Sequence, residues 1–428
     1  MYKQLKEKIE NKNAVVAILG LGYVGLPLAL EFAKAGIKVI GFDPDEKRIE
    51  NLYNSVKYIT DIDPQQSDRQ IKRGKFVPTS EAAELKKADV HIICVPTPLR
   101  HVKTPDMSYI ISAARTIRTN ARKGSLVVLE STTYPGTSRE VILPEMEKAG
   151  FCVDKDLFLC FSPERVDPGN AKFPIRKIPK VVGGISEKST KLGVCLYGLA
   201  MDKVVPVSSI EAAETVKLLE NTFRMINIGL INEFAILCNK FGIDVWEVIE
   251  GARTKPFGFM PFYPGPGLGG HCIPCDPVYL SWKAKKIGFK TKMIDLAAST
   301  NRYMPVYVVD KIREIAGGIK DKKIMLIGVT YKKDVKDLRE SPALDIIDIL
   351  NREKAQVSYH DPFIPYIAVD GIDMNSVKLS GPAISKADCV VIVTDHTDLN
   401  YGLIQKNAGI IYDTRNVYKK KYSNVVRL

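Results

Sequence analysis

The chain has 428 residues, of which 45% are hydrophobic and 26% charged, so its composition excludes a disordered protein and predicts two or three globular domains. Its net charge of +13 favours an anionic partner, but the lysines and arginines are dispersed, which favours a small phosphorylated ligand over nucleic acid. Most of the eight cysteines lie in apolar runs, as reduced core thiols do, and we therefore expect a cytoplasmic protein.

The first half of the chain alternates apolar, strand-like runs with helical patterns. The runs include AVVAILG at 14–20 and SLVVLEST at 125–132, and each ends in turn-forming or polar residues. Strands that alternate with helices predict right-handed crossovers and a parallel sheet. The stretch 14–33 is apolar enough to suggest a membrane span, but the spacing of its glycines has a better explanation.

A glycine-rich turn follows the first predicted strand and opens a helix. Its residues are Gly20, Gly22, Tyr23, Val24 and Gly25. The glycines allow a tight turn and the close approach of a pyrophosphate, which the N-terminus of the helix stabilises. Asp43 ends the next strand, where a carboxylate binds the adenosine ribose hydroxyls, and this favours NAD over NADP. Arg48 lies close enough in sequence to keep NADP as an alternative.

Two segments with threonines fall at the carboxyl ends of predicted strands, along the edge where doubly wound sheets bind ligands. They are 95–98, which contains Thr97, and 130–133, which contains Thr132. Proline and threonine are also common in ordinary loops. These segments alone therefore support a binding role and a plain loop equally.

Residues 209–251 carry a long helical pattern with apolar side chains at three- and four-residue spacing. We expect Leu219 and Phe223 to be buried, and the helix to span two domains or to pair with a second subunit. Lys217 and Asn221 are four residues apart and share one helix face. They suit the stabilisation of an oxyanion in a cleft, although a solvated polar face is the commoner meaning of such spacing.

The segment 267–277, GLGGHCIPCDP, offers Cys272 as a nucleophile, and Asp276 follows closely enough to handle its proton. We predict an irregular loop over 254–277, whose glycines close over a bound group. The chain lacks the second ligand pair of a structural zinc site, so we expect no metal. A redox CxxC normally opens a helix after a strand, which makes disulfide exchange through Cys275 the weaker alternative.

Alternation of strand and helix resumes toward the C-terminus, in runs such as KKIMLIGV at 322–329. No GxGxxG follows that run, so this smaller domain is not expected to bind a dinucleotide. The predicted fold is α/β, with two Rossmann-like doubly wound domains joined by a long central helix.

Five motifs in the same order resemble the UDP-glucose/GDP-mannose dehydrogenase family over nearly the whole chain. They are GLGYVGLPLA, SPERVDPG, AAETVKLLEN, GPGLGGHCIPCDP and YKKDVKDLRESPA. The resemblance implies that two NAD⁺ and one water oxidise the C6 alcohol of a nucleotide sugar to a carboxylate. A catalytic thiol would hold the aldehyde as a thiohemiacetal, and a second hydride transfer would give a thioester that water cleaves.

The resemblance also implies roles for individual residues. Cys272 would be the nucleophile, Lys217 and Asn221 would stabilise the oxyanion, and Asp276 would handle protons. Glu164 would activate the water that cleaves the thioester, and Thr132 would hold that water. Further implied contacts are Thr97, Thr132 and Arg339 for NAD, and Glu164, Arg165, Lys217, Asn221, Arg253, Tyr263, Gly267, Lys332 and Arg415 for substrate. Arg253 would enter the site of a neighbouring subunit.

The resemblance divides the chain into three predicted domains. Residues 1–207 would bind NAD, 208–317 would form a helical dimerisation region with the catalytic cysteine, and 318–428 would bind the UDP-sugar. We expect a homodimer or a higher homo-oligomer that binds neither nucleic acid nor a membrane.

The substrate is predicted from departures within the motifs. Glucose enzymes of the family often have a second glutamate where this chain has Pro168, and Arg165 and Asp167 alter the charge of the pocket. The segment 254–264 resembles the branch that acts on UDP-N-acetylglucosamine, for surface polysaccharide. UDP-N-acetylmannosamine is the alternative, followed by UDP-glucose and then GDP-mannose.

A hypothesis of another class is an NAD-binding redox sensor whose two nearby cysteines form and break a disulfide. Substitution of Cys275 by alanine separates the two hypotheses, because a sensor needs that thiol and the dehydrogenase does not.

Overall fold

The computed structural model describes residues 1–59, 62–98, 104–165, 173–270 and 272–428, apart from the side chain of Cys272. Within these residues the chain forms two compact units. The N-terminal unit comprises Met1–Glu220 with Val278–Ile287, and the C-terminal unit comprises Asn221–Pro277 with Gly288–Leu428. The division into the three domains 1–207, 208–317 and 318–428 stays a prediction.

The N-terminal part of the chain alternates strands and helices from its start. Its elements are α1 Tyr2–Glu10, β1 Val15–Leu19, α2 Gly25–Lys34, β2 Lys38–Phe42, α3 Glu46–Tyr53, α4 Pro64–Lys72, β3 Phe76–Thr79, β4 Val90–Ile93, α5 Ser108–Asn120, β5 Ser125–Leu129, α6 Leu143–Glu147, β6 Leu157–Phe161, β7 Lys180–Gly184, α7 Glu187–Tyr197 and β8 Val204–Pro206. Short 3-10 helices at Ala82–Lys87 and Ile175–Lys177 and a π-helical turn at Ser138–Ile142 accompany them.

Strands β1 to β8 form one sheet in the order β3-β2-β1-β4-β5-β6-β7-β8. The first six of these strands pair in parallel, as the alternation of strands and helices requires. Helices cover both faces: α2 and α7 contribute Phe32 and Leu192 to one core, and α5 and α6 contribute Ile110 and Met146 to the other. Strands β4, β5 and β6 are therefore buried from end to end and are mostly apolar, with His91 and Ser125 as the polar residues within them.

Strand β7 reverses direction and runs antiparallel to β6, with Phe161 opposite Gly183. Its first residue, Lys180, therefore lies at the edge where β6 ends, which is the edge that binds ligands in doubly wound sheets. Neither β7 nor β8 was predicted from the sequence, although Gly183 and Gly184 end β7 and Ser208 and Ser209 follow β8, as turn-forming residues do.

Four helices follow: α8 Ile210–Phe241, α9 Val245–Arg253, α10 Cys272–Lys286 and α11 Lys292–Ile315. The pattern predicted as one helix over 209–251 is two helices. Gly242 follows α8 with a left-handed φ of 71°, which glycine adopts without strain and which ends the helix. The side chain of Asp244 then caps α9 by accepting a hydrogen bond from the backbone N–H of Trp246.

Helix α8 exposes apolar side chains and buries polar ones. Leu219 is 65% exposed and Phe223 46%, so their predicted burial within the chain is wrong. Lys217 and Asn221 are only 5% and 1% exposed, so the interpretation of a solvated polar face is also wrong. Periodicity indicates which side chains share a face, but not what that face meets.

Helix α10 begins at Cys272, so the irregular loop predicted over 254–277 is shorter than expected. The residues CIPC open a helix, and the argument that this CxxC lies outside a helix is therefore wrong. Residues 254–270, which precede it, contain no strand. His271 and the side chain of Cys272 lie outside the described residues.

The C-terminal unit is built on a second parallel sheet. Its remaining elements are β9 Lys323–Ile327, α12 Pro342–Arg352, β10 Gln356–His360, β11 Tyr366–Val369, β12 Ile372–Asn375, α13 Gly381–Ser385, β13 Cys389–Ile392, α14 Tyr401–Asn407, β14 Ile411–Asp413 and β15 Val425–Arg427. The sheet has the order β10-β9-β13-β14-β15, and β11 and β12 form a separate antiparallel hairpin. Helices α11 and α12 contribute Val308 and Ile346 to its core.

The predicted α/β class, with two parallel sheets and a long central helix, is confirmed. The apolar stretch 14–33 forms β1 and α2. Within the described ranges, no helix has both the length and the apolarity that crossing a membrane requires.

Candidate active site

The glycine turn lies between β1 and α2, as predicted. Gly20 has a left-handed φ of 96°, and a Cβ there would lie 2.8 Å from the carbonyl oxygen of Cys94. A Cβ on Gly25 would lie 1.9 Å from the carbonyl oxygen of Gly20, so these two glycines are required by packing.

Gly22 has a different reason to be glycine. A Cβ there would meet no atom of the described residues within 4 Å, so these residues leave room for one. Helix α2 begins three residues later, with Val24 in the N-cap position and no side chain capping its first turn. An open glycine beside an uncapped helix N-terminus fits the pyrophosphate of a dinucleotide. Tyr23, between them in sequence, is exposed.

Asp43 lies at the end of β2 and joins that strand to the glycine turn. Its carboxylate accepts hydrogen bonds from the backbone N–H of Leu21 at 2.8 Å and of Asp45 at 3.1 Å. Arg48 forms an ion pair with the same carboxylate at 2.6 Å and lies over the ring of Tyr58. The position fits the ribose-binding carboxylate, with Arg48 paired to it.

Thr97 and Thr132 follow the neighbouring strands β4 and β5. The Thr97 side chain is buried, and its carbonyl accepts a hydrogen bond from the hydroxyl of Tyr279. Thr132 is half-buried. The hydroxyl of its neighbour Ser131 donates to the carbonyl of Val95 at 2.7 Å and so links the ends of both strands.

Glu164 and Lys217 form a buried pair in the N-terminal unit. The Nζ of Lys217 lies 3.2 Å from the Oε2 of Glu164. Arg165 forms an ion pair of 2.7 Å with Glu220, one turn further along α8. The segment after β6 is therefore joined to α8 through two consecutive residues. Asp167 and Pro168 lie outside the described residues.

Asn221 and Asp276 form a second buried pair, in the C-terminal unit. The amide of Asn221 donates a hydrogen bond to the carboxylate of Asp276. The guanidinium of Arg224 donates to the amide oxygen of Asn221, which fixes the orientation of the amide. Arg224 was not predicted from the sequence, although Lys217, Asn221 and Arg224 recur at the three- and four-residue spacing of one helix face.

The glycines that precede Cys272 pack against protein. Gly267 and Gly270 have left-handed φ values of 141° and 82°, and a Cβ on Gly270 would lie 2.7 Å from the ring of Tyr331. The backbone N–H of Gly270 donates to the carbonyl of Arg339 at 2.8 Å. The glycines were predicted to close over a bound group; in this unit they allow close contact with Tyr331, which the sequence did not indicate.

Lys332 and Arg339 flank this contact. Lys332 is half-buried, and its carbonyl accepts a hydrogen bond from the hydroxyl of Thr330 at 2.8 Å. The guanidinium of Arg339 pairs with Asp337 at 2.6 Å. Arg415 follows β14, where its Nε donates to the carbonyl of Val393 at 2.8 Å.

Arg253 and Tyr263 belong to an exposed group around Glu250. Both contact Glu250, at 3.1 Å for Arg253 and 2.9 Å for the hydroxyl of Tyr263. The Tyr263 ring stacks on Trp246, with ring centroids 6.1 Å apart.

Comparison with protein-family models covers both units. Models of the UDP-glucose/GDP-mannose dehydrogenase family match at residues 14–200 for the NAD binding domain, 211–303 for the central domain and 325–420 for the UDP binding domain. The chain belongs to this family. The protein is therefore an NAD-dependent nucleotide-sugar dehydrogenase, and the predicted family, enzyme class and cofactor are confirmed.

Individual relatives cover nearly the whole chain. The UDP-N-acetyl-D-glucosamine 6-dehydrogenase of Pseudomonas aeruginosa is 34% identical over an alignment of 429 positions, which covers 97% of this chain and 99% of that protein. The UDP-N-acetyl-D-mannosamine dehydrogenase of Pyrococcus horikoshii is 36% identical over an alignment of 418 positions, which covers 95% of this chain and 96% of that protein. The solved UDP-D-ManNAc dehydrogenase structure from P. horikoshii matches with a TM-score of 0.87 at 33% identity, covering 96% and 98%.

Proposed function

We propose that this dehydrogenase oxidises the C6 hydroxymethyl group of a UDP-N-acetylhexosamine to the carboxylate, with UDP-N-acetylglucosamine as the preferred substrate. Two observations support this sugar: the name of the Pseudomonas relative, and the resemblance of residues 254–264 to the branch that acts on UDP-N-acetylglucosamine. UDP-N-acetylmannosamine is the next candidate, because a relative of similar identity carries that name. The uronate product suits a surface polysaccharide, and buried free thiols such as Cys160 and Cys389 suit a reducing cytoplasm.

The observation that carries the chemistry is the pairing of two polar residues on α8 with two carboxylates. Lys217 pairs with Glu164, and Asn221 pairs with Asp276, all four side chains being buried. A buried ammonium and a buried amide on successive turns supply the donors that a developing alkoxide needs. The glycine turn at Gly20, Gly22 and Gly25, together with Asp43, would hold NAD⁺, which would supply the hydride acceptor for the two oxidations.

Cys272 acts as the nucleophile in this proposal. It is the first residue of α10, and the first turn of a helix favours negative charge, which stabilises a thiolate there. Its sulfur adds to the C6 aldehyde, and the tetrahedral oxyanion takes its hydrogen bonds from Lys217 and Asn221. Asp276 accepts the proton that leaves the C6 hydroxyl.

Glu164 and Thr132 act in the last step, in which the thioester is hydrolysed. Glu164 takes a proton from water, the water oxygen bonds to C6, and the bond from C6 to sulfur breaks. The sulfur leaves as the Cys272 thiolate, and the uronate forms.

Substrate binding is assigned to cations of the C-terminal unit. Lys332 and Arg415 suit the two phosphates, because ammonium and guanidinium groups bind phosphate through charge-assisted hydrogen bonds. Arg253, with its neighbour Tyr263, is assigned to the site of a second subunit.

The exposed apolar face of α8 supports the presence of a second subunit. It is formed by Leu230, Phe234, Leu237 and Phe241. An apolar face of this length on a soluble domain marks an interface, and a second copy of the same face completes it in a twofold dimer.

A panel of four nucleotide sugars tests the function. The purified protein is mixed with NAD⁺ and each of UDP-N-acetylglucosamine, UDP-N-acetylmannosamine, UDP-glucose and GDP-mannose, and NADH and uronate are quantified. We expect two NADH per uronate, the fastest turnover with UDP-N-acetylglucosamine, and loss of uronate in Cys272→Ser. One NADH per sugar, or unchanged turnover in Cys272→Ser, would overturn the mechanism.

A further inference from the structure

A buried ion pair lies at the ligand-binding edge of the first sheet and has no part in the chemistry proposed above. Lys180 and Glu130 are joined at 2.7 Å, and both side chains are buried. The hydroxyl of the buried Tyr197 donates a hydrogen bond to the other oxygen of Glu130, and the Lys180 ammonium lies 5.2 Å from the centre of the Tyr197 ring. Burial raises the pKa of Tyr197 well above its ordinary value, so the hydroxyl keeps the proton that it donates.

Stability alone is a weak reason for this pair. Removing two charges from water costs several kcal/mol per ion, and an apolar replacement of similar volume is often as stable. A buried pair at the carboxyl ends of strands is better explained by what it holds in place.

Lys180 and its neighbour hold the segment of Glu164 on both sides. The Lys180 ammonium donates to the carbonyl of Pro163 at 3.3 Å. The guanidinium of Arg165 donates to the carbonyl of Pro179 at 2.7 Å. Glu164 therefore lies between two contacts to the start of β7, and the antiparallel pairing of β6 with β7 brings these residues together.

Glu130 holds the segment of Thr132, the second residue that the proposed function assigns to the hydrolytic water. It is two residues before Thr132, and its own backbone N–H donates to the carbonyl of Ile93 at 2.9 Å. The carboxylate of Glu130 thus ties the start of the Thr132 segment to the same ammonium that holds Pro163.

We propose that Lys180 and Glu130 are positioning residues for thioester hydrolysis, holding Glu164 and Thr132 in the arrangement that activates one water. This inference rests on the proposed function. In the step concerned, Glu164 takes a proton from that water, the water oxygen bonds to C6, and the bond from C6 to sulfur breaks to release a thiolate. Neither oxidation uses the water, so the inference concerns the last step alone.

The test uses Lys180→Met and the double variant Glu130→Gln with Lys180→Met in the full-length protein. The double variant removes both charges, so it stays informative if the single variant fails to fold. Each is mixed rapidly with NAD⁺ and the best sugar of the panel, NADH formation is followed from the first turnover, and the mass of the denatured protein is measured.

We expect NADH formation in the first turnover to stay within about threefold of the unmodified protein, while steady turnover falls about a hundredfold, as for a misplaced catalytic group. The acyl adduct on Cys272 should then accumulate to most of the active sites. A merely structural defect lowers both phases together and leaves no adduct, and that outcome would overturn the inference.

Two further variants complete the test. Tyr197→Phe should show the same pattern more weakly, since it removes one hydrogen bond to Glu130. Arg118→Met is the matched control, because it removes a partner of the buried Glu145, 2.8 Å away, on a helix remote from the strand ends. Accumulation of adduct in Arg118→Met would overturn the inference. Absence of uronate and of two NADH from the unmodified protein would instead refute the proposed function.

Discussion

The carboxylate of Glu214 accepts a hydrogen bond of 2.8 Å from the backbone N–H of Ser138, and neither residue is exposed. Its other oxygen accepts from the backbone N–H of Gly136. Glu214 thereby connects α8, one turn before Lys217, to the turn that follows the Thr132 segment. Burial raises the pKa of Glu214 from 4.5 to about 7, although the two backbone hydrogen bonds oppose that shift.

This pKa predicts how stability depends on pH. Between 4.5 and about 7 the folded protein holds a proton on Glu214 that the unfolded chain has lost, so this group makes folding less favourable as pH rises through that window. Glu214→Gln should remove this loss of folding stability, which is worth up to roughly 3 kcal/mol at pH 8. Thermal unfolding midpoints between pH 4.5 and about 7 measure the change in stability. Glu233→Gln, at an exposed position of the same helix, is the control, and equal slopes in Glu214→Gln and the unmodified protein would contradict the prediction.

His91 predicts the opposite slope. Its ring is fully buried on β4, neither ring nitrogen has a partner among the described residues, and burial lowers its pKa from 6.5 to about 4. Below 6.5 the unfolded chain takes up a proton that the folded protein refuses, so stability falls as pH drops toward 4. His91→Leu should flatten this fall and raise stability by about 1–2 kcal/mol. His91→Asn keeps a buried polar group and should gain nothing; a stabilised His91→Asn would count against the explanation.

Gly22 predicts an effect on NAD alone. Gly22→Ala should leave the unfolding midpoint of the free protein within about 1 °C, because its Cβ meets no atom within 4 Å. It should weaken NAD⁺ binding about tenfold or more, since the methyl group enters the space left for the pyrophosphate. Calorimetric titration with NAD⁺ measures this. Gly20→Ala should destabilise the free protein instead, and unchanged NAD⁺ affinity in Gly22→Ala would refute the assignment.

The pair of Asp43 and Arg48 predicts how the cofactor is selected. Asp43→Asn keeps an acceptor for the N–H of Leu21 but removes the negative charge that repels a 2′-phosphate, and it releases Arg48. The preference for NAD⁺ over NADP⁺, as a ratio of kcat/KM, should fall about tenfold or more. Asp43→Asn with Arg48→Met should regain little NADP⁺ activity. An unchanged ratio in Asp43→Asn would show that another group selects the cofactor.

The exposed face of α8 predicts the oligomeric state. Sedimentation at micromolar protein should give at least a dimer, and Leu237→Lys should shift it toward monomer because it places a charge within the apolar face. Lys240→Ala, on the polar side of the same helix, should have no effect. Monomer alone for the unmodified protein would refute dimerisation.

Local sequence patterns predicted the fold because the same residues that form each pattern determine the local structure. The run at 14–20 and the glycines after it specify a strand, a turn and a helix within a few residues, and the structure has all three. The position of Gly242 ends α8 for an equally local reason. The short strands β7, β8 and β15 depend on the sheet that they join, so nothing in their own few residues specifies them.

The site was predicted less completely, because its pairs join distant parts of the chain. Sequence spacing placed Lys217 and Asn221 on one face, but it gave no sign that Glu164 or Asp276 would meet them. The contact of Tyr331 was not predicted for the same reason: its partner is Gly270, and a glycine has no side chain that would indicate what packs against it. Resemblance to a family supplied roles for residues, whereas contacts between them came from the fold.

The reversal of β7 places the first residue of a strand at the ligand-binding edge of the sheet. In a parallel strand the first residue lies far from the ligand, so a residue there has no access to chemistry. Because β7 runs antiparallel to β6, the pairing of the two strands fixes the position of Lys180 at the start of β7. A change of sugar specificity made in the segment that connects the two strands would therefore have to keep Pro163, Glu164 and Arg165 together with Lys180, because these residues form the contacts across the reversed pair.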